Sequence, residues 1–330
     1  MAKKPHRGQS VRPSNTVVIK KYTSIGEPDA ESDNDLDQVF LYKEEYDVLI
    51  DTNTSKSIII GRTGSGKSAL LRLIEERCEN VAKINPETIS VKYINNSNII
   101  NYFREIGVNV VFFYKILWKH IFIVELLKLY FEGEDKKQTI LDKIKNRLDY
   151  RDRSVQKTRE RAFKYLTEWS NEFWEKQEYR VKELEKQVTS KLLSEFGVDT
   201  FDKLKLKIAS EGSNSEKLII EVKHKTESFI NELQAGELFD LIELLKELFQ
   251  GNQKKMYILI DDLDKEWAPT QIVYDLIATM VDVVKEFRGI FKSVKIIASL
   301  RDNLHQLVFA GREHKGGQRE KYASLYLNLE

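Results

Sequence analysis

The sequence predicts an α/β fold, a three-layer sandwich in which a parallel sheet is flanked by helices and interrupted by a long α-helical insertion. Three observations predict it. Short apolar or β-branched runs of strand length recur at Ser57 to Ile60, Thr88 to Tyr93, Met256 to Ile260, Val294 to Ser299 and Ser324 to Leu329. Helical patterns lie between them at Lys67 to Cys78, Pro269 to Phe287 and Asn303 to Phe309, and strands alternating with helices favour a parallel sheet. The interval from Tyr93 to Met256 is too long for one crossover and reads as an insertion.

In chain order, residues 1–38 form an arm. Its basic part (Lys3, Lys4, Arg7, Arg12, Lys20, Lys21) precedes an acidic part (Glu27, Asp29, Glu31, Asp33, Asp35, Asp37), and so few core-forming residues predict flexibility apart from a short strand at Thr16 to Ile19. Residues 39–94 and 250–330 form the core domain, and 95–249 the insertion. The 53 Lys and Arg balance 52 Asp and Glu, which excludes a highly basic histone-like binder, and the 41% hydrophobic content excludes disorder throughout. The one cysteine, Cys78, cannot form an intramolecular disulfide, and no signal-peptide stretch follows the basic start, so the cytoplasm is the expected compartment.

Within the insertion, Val108 to Phe131 is the segment nearest to a membrane span. Lys115, Lys119, His120, Glu125 and Lys128 interrupt it, and Ile116, Trp118, Ile121, Phe122, Val124, Leu126 and Leu129 suit a helix packed in protein; no membrane is expected. Apolar residues then recur at intervals of three and four from Phe163 to Phe196, with Gly197 as a stop. Such a helix extends about 50 Å and predicts a protruding hairpin or coiled arm, imperfect where Ser170 and Gln177 fall on its seam. A last amphipathic helix, Glu237 to Phe249, returns to the core.

The chemistry concentrates at Gly61 to Ser68, GRTGSGKS, directly after the first strand and before a helix. Glycines at 61, 64 and 66 let the backbone turn sharply, so that successive N–H groups and the helix N-terminus face an anion. The phosphate-binding set is Gly61, Arg62, Thr63, Gly64, Ser65, Gly66, Lys67, Ser68 and Ala69, with Lys67 bridging β- and γ-phosphates of ATP and the Ser68 hydroxyl ligating Mg²⁺. The alternative is a glycine-rich turn. The second motif is Met256 to Asp264, MYILIDDLD: an apolar strand that ends in acid beside the loop. Asp261 would hold Mg²⁺, and Asp262 or Asp264 would orient or deprotonate the attacking water. The third, Lys295 to Arg301, KIIASLR, can bring Ser299 near the γ-phosphate and Arg301 near the nucleotide or a neighbouring subunit.

Together GRTGSGKS, ILIDDLDKEW and IIASLRDNL resemble the additional-strand class of P-loop ATPases, and within it the STAND and KAP branches, over 57–94 and 250–330. The resemblance implies a P-loop NTPase sheet of order 5-1-4-3-2, Mg-dependent ATP hydrolysis, and a switch controlling oligomerisation or conformation in a bacterial anti-phage defence or signalling system. Asp264 matches the water-positioning acid of NACHT-type members, whereas Asp262 stands where AAA+ ATPases keep a glutamate. KAP insertions usually span membranes, and this one is too charged to do so. Relatives continue past the fifth strand into a helical or winged-helix lid, so a fragment, or a partner supplying those groups, is expected.

Other nucleotide readings lack their residues. No Asn-Lys-x-Asp run marks a GTPase, and ELFQGNQKK at 247–255 is not the Leu-Ser-Gly-Gly-Gln of an ABC-type ATPase; Gly316-Gly317-Gln318 follows the second motif and reads as a loop. From Lys143 to Lys164 nine cations (Lys143, Lys145, Arg147, Arg151, Arg153, Lys157, Arg159, Arg161, Lys164) face three acids, so a nucleic-acid-stimulated sensor or motor is one alternative. A second is a non-hydrolysing scaffold that binds itself or a partner protein through the insertion. Phe40, Tyr42 and Tyr46 are candidates for stacking on adenine.

Overall fold

Five strands, β1 (Ile58–Gly61), β2 (Val81–Ile84), β3 (Met256–Ile260), β4 (Val294–Arg301) and β5 (Tyr326–Leu329), form one sheet in the order β5-β1-β4-β3-β2. Every pairing is parallel, so the protein has an α/β fold with flanking helices. In this computed structural model the described residues are 44–89, 110–132, 156–168, 237–250, 254–265, 270–313 and 319–329, with single positions between 182 and 224. The helices are α1 (Glu44–Ile50), α2 (Lys67–Arg77), α3 (Pro86–Ile89), α4 (Val111–Glu132), α5 (Glu237–Gln250), α6 (Thr270–Ile290) and α7 (Asp302–Glu313).

Alternation along each strand separates the sheet's two faces. Ile59, Tyr257, Leu259 and Ile297 pack with Leu70, Leu71, Leu73 and Ile74 of α2 and with Tyr46 and Leu49 of α1. Their neighbours Ile58, Ile60, Ile258, Ile260, Ile296 and Ala298 face a larger cluster built from α4 to α7. Strands buried on both faces read as unbroken apolar runs, and β1 and β3 do, whereas β4 is buried from Val294 to Leu300 with Lys295 and Ser299 among its residues. The carboxyl ends of β1, β3 and β4 thereby emerge side by side, with Gly61 in register with Arg301.

One expectation is corrected. The second strand is Val81–Ile84, not Thr88 to Tyr93: Thr88 and Ile89 belong to α3, and 90–93 lie outside the described residues. The edge position explains the error, because Val81 and Ala82 are half-covered and Lys83 is exposed, which weakens the apolar signal.

The stretch expected as an insertion, 95–249, also supplies part of the core. Helix α4, within 95–249, packs into the core: Phe113, Tyr114, Trp118 and Phe122 are fully buried against the sheet and α6. Trp118 Nε1 donates to the Leu276 carbonyl at 2.9 Å, and Phe122 meets Phe287 edge-on at 5.6 Å. Two of its polar residues, Lys119 and His120, are buried and partnered. Lys119 Nζ pairs with Glu286 at 2.5 Å and lies 4.4 Å from the Phe239 ring, while His120 Nδ1 is 2.7 Å from the Tyr165 hydroxyl. Residues 156–168 are helical and bury Thr158, Ala162 and Tyr165 in the spacing of one helix face, and α5 adds Leu241, Leu245 and Phe249. Among the described residues, no helix is long and apolar enough to cross a membrane.

Gly197 adopts φ 64° and its N–H donates to Leu193 O at 3.0 Å, the left-handed turn with which helices commonly end. The arm at 1–38 with its strand Thr16 to Ile19, most of the helix from Phe163 to Phe196, Phe40, Tyr42, and the loop at Gly316 to Gln318 lie outside the described residues.

Candidate functional site

Strand β1 delivers the chain to the sheet edge at Gly61, wedged between Arg301 of β4 and Leu329 of β5. A Cβ at Gly61 would overlap the Ser65 hydroxyl and lie 3.1 Å from the Leu329 carbonyl oxygen. The chain then turns through Gly64 (φ 79°) and Gly66 (φ 89°), the left-handed region that glycine occupies without a Cβ penalty. Gly66 caps α2 with no side-chain hydrogen bond, so no capping side chain occupies the N–H groups of the first turn. Ser65 Oγ is buried without a hydrogen-bond partner. Arg62 and Thr63 are exposed on the rim, whereas the Ala69 side chain is buried and contributes only backbone.

Lys67 curls back over the loop, where its Nζ donates to the carbonyls of Gly61 at 3.1 Å and Arg62 at 2.8 Å. Burial lowers its pKa; the carboxylate of Asp264 opposes this, the guanidinium of Arg301 adds to it, and Asp261 opposes it again. Lys67, Asp264, Arg301 and Asp261 are therefore electrostatic neighbours.

At the end of β3, Asp261 is buried and its Oδ1 accepts hydrogen bonds from the Ser299 hydroxyl and, at 3.0 Å, from the Asp262 N–H. Ser299, predicted near a γ-phosphate, is thus committed to orienting this carboxylate across two adjacent strands. Asp261 and Ser68 line one cavity of about 400 Å³ with Leu71, Arg72, Glu75, Glu76, Lys83 and Leu259. Two donors of the type Mg²⁺ accepts, a hydroxyl and a carboxylate, therefore face the same space. The neighbouring acids each carry an ion pair of their own. Asp262 has φ 60°, rare outside glycine, and its carboxylate pairs with Lys265 Nζ at 2.9 Å. Asp264 pairs with Arg301 Nε, the acid mostly covered and the arginine half-exposed. Among the described residues no three His, Cys, Asp or Glu side chains gather to hold a metal ion by themselves.

The structure thus brings the loop, Lys67, Ser68, Asp261, Asp264, Ser299 and Arg301 to one sheet edge, and turns Asp262 toward Lys265. Sequence reasoning missed Lys83, Arg72, Glu75 and Glu76 of the shared cavity. The signal for Lys83 was Val81 to Ile84, a strand-length run directly after α2. Tyr46 is corrected as an adenine-stacking candidate: it is buried beside Leu49, its ring faces the Arg77 guanidinium at 5.9 Å, and burial raises its pKa to about 12. The described part of the basic stretch is partly tied down, with Arg159 on the Tyr130 ring at 5.6 Å and Arg161 3.9 Å from Asp240.

The chain matches no family model, no curated protein and no solved structure.

Proposed function

We propose that the protein binds ATP with Mg²⁺ and hydrolyses it slowly, using the cycle as a switch for oligomerisation or conformational control. The observation that carries this reading is the meeting of the Gly61–Ser68 loop with Asp261 at one sheet edge, Ser68 and Asp261 opening onto a common cavity. A polyphosphate fits the loop's features: left-handed Gly64 and Gly66, an N-terminal helix turn without a side-chain cap, the tight passage at Gly61, and a lysine held above the backbone.

On this reading the backbone N–H groups from Gly64 to Ala69 hold the phosphates, and Lys67 exchanges its two carbonyl partners for β- and γ-oxygens. Ser68 and Asp261 would ligate Mg²⁺, which when bound neutralises charge on the phosphate oxygens. Ser299 keeps the Asp261 carboxylate in one orientation. Asp264 is the acid we assign to accept the proton of attacking water, because it pairs with Arg301, the register partner of Gly61 in the loop, whereas the Asp262 carboxylate pairs with Lys265. A role in bacterial defence or signalling, a cytoplasmic setting, and self-association or partner binding through the insertion follow from the resemblance to STAND and KAP ATPases. Phosphate release from Mg-ATP, measured together with solution mass by light scattering, tests the switch: ATP should change the mass, and turnover without any change in mass would argue against it.

A further inference from the structure

We propose that the Arg301–Asp264 ion pair is a phosphate-operated latch, closed without a terminal phosphate and opened when that phosphate recruits the arginine. The inference rests on the nucleotide reading above and adds its regulation. Arg301 ends β4 in register with Gly61, the first residue of the loop, and Asp264 lies in the turn after β3. The carbonyl of Gly61, the register partner of Arg301, accepts a hydrogen bond from Lys67 Nζ, so the ion pair and the lysine lie at the same end of the loop. In this arrangement Lys67, Asp261 and Asp264 each have a partner within the protein. Lys67 rests on loop carbonyls, Asp261 on Ser299, and Asp264 on Arg301.

A terminal phosphate held by Lys67 brings more negative charge than a single carboxylate to that end of the loop. A guanidinium binds phosphate in a two-pronged fork, and the pair to Asp264 uses its Nε edge, so the two partners compete for one group. The half-exposed arginine is the member free to swing, while Asp264 is mostly covered and stays. Loss of the arginine returns the carboxylate's lone pairs to water, and the acid becomes an acceptor only when substrate is present. ADP lacks the group that Lys67 would hold beside Arg301 and leaves the latch closed.

The test is calorimetry with a non-hydrolysable ATP analogue and with ADP, each with Mg²⁺, on the full chain as wild type, Asp264→Asn, Arg301→Gln and the double variant. Freeing Arg301 from a half-exposed ion pair should tighten the analogue about three- to fivefold in Asp264→Asn and leave ADP within error. In the Arg301→Gln background, Asp264→Asn should bring no tightening. If the gain persists there, or applies equally to ADP, it reflects removal of a negative charge and the latch is wrong. If the wild type binds neither nucleotide, the underlying site assignment fails, and the latch with it.

Discussion

Replacing Gly61 by alanine probes the closest packing in the loop. Gly61 has a φ that alanine tolerates, so the substitution by itself stabilises by restricting the unfolded chain, by about 0.4–1 kcal/mol. Against this, the new methyl would overlap the buried Ser65 hydroxyl and sit 3.1 Å from the Leu329 carbonyl and 3.2 Å from Ser65 Cβ. Overpacking of this kind costs about 1–3 kcal/mol, so the clash wins and the net loss is roughly 1–2 kcal/mol. Urea denaturation should show a lower midpoint with an unchanged slope. Ser65→Ala removes the worst contact and should couple to Gly61→Ala by roughly 0.5–3 kcal/mol, as touching residues do. Gly64→Ala supplies the contrast. Nothing lies within 4 Å of its Cβ, yet φ is 79°, so it should lose about 1–2 kcal/mol that Ser65→Ala does not restore. A Gly61→Ala protein as stable as wild type would refute the packing argument.

Further outcomes follow from other parts of the molecule. Burial lowers the Lys295 ammonium from 10.5 to about 8, with Asp51 opposing the shift and Arg288 assisting it. Between those values the unfolded chain holds a proton that the folded one lacks, so stability should rise with pH from about 8 to 10, and Lys295→Met should abolish that rise in denaturation curves. Glu286→Ala leaves the buried Lys119 ammonium without its carboxylate and should destabilise by about 2 kcal/mol, with Glu286→Gln losing less; equal stability of all three proteins would discount the ion pair. Asp264→Asn should keep nucleotide binding while slowing phosphate release by about 10²-fold or more, and unchanged turnover would transfer the role to Asp262.

The legible parts of the fold were those whose signal is local. Runs such as Met256 to Ile260 are buried on both faces and contain no polar residue, so their pattern reads directly from the chain. Val81 to Ile84 has only one well-buried residue, Ile84, and carries a weaker strand signal than the alternation at Thr88 to Tyr93. Helix α4 reads correctly as a helix packed in protein, but what packs on it is distant in sequence: Leu276 accepts from Trp118, and Glu286 pairs with Lys119. Its place on the sheet therefore had no sequence signature. The loop residues were legible because glycine at a left-handed position leaves its mark on composition. The partnerships of Ser299 with Asp261 and Arg301 with Asp264 were not, since each side chain alone fits several roles and only the strand register selects one.

Calorimetric titration of Mg-ATP into the wild type and into Lys67→Ala tests the central claim most directly. The account predicts saturable one-site binding that disappears in the variant while its urea midpoint stays near that of wild type, because Lys67 contributes two partly exposed hydrogen bonds to the fold. Undiminished affinity in Lys67→Ala, or no binding by the wild type, would contradict it.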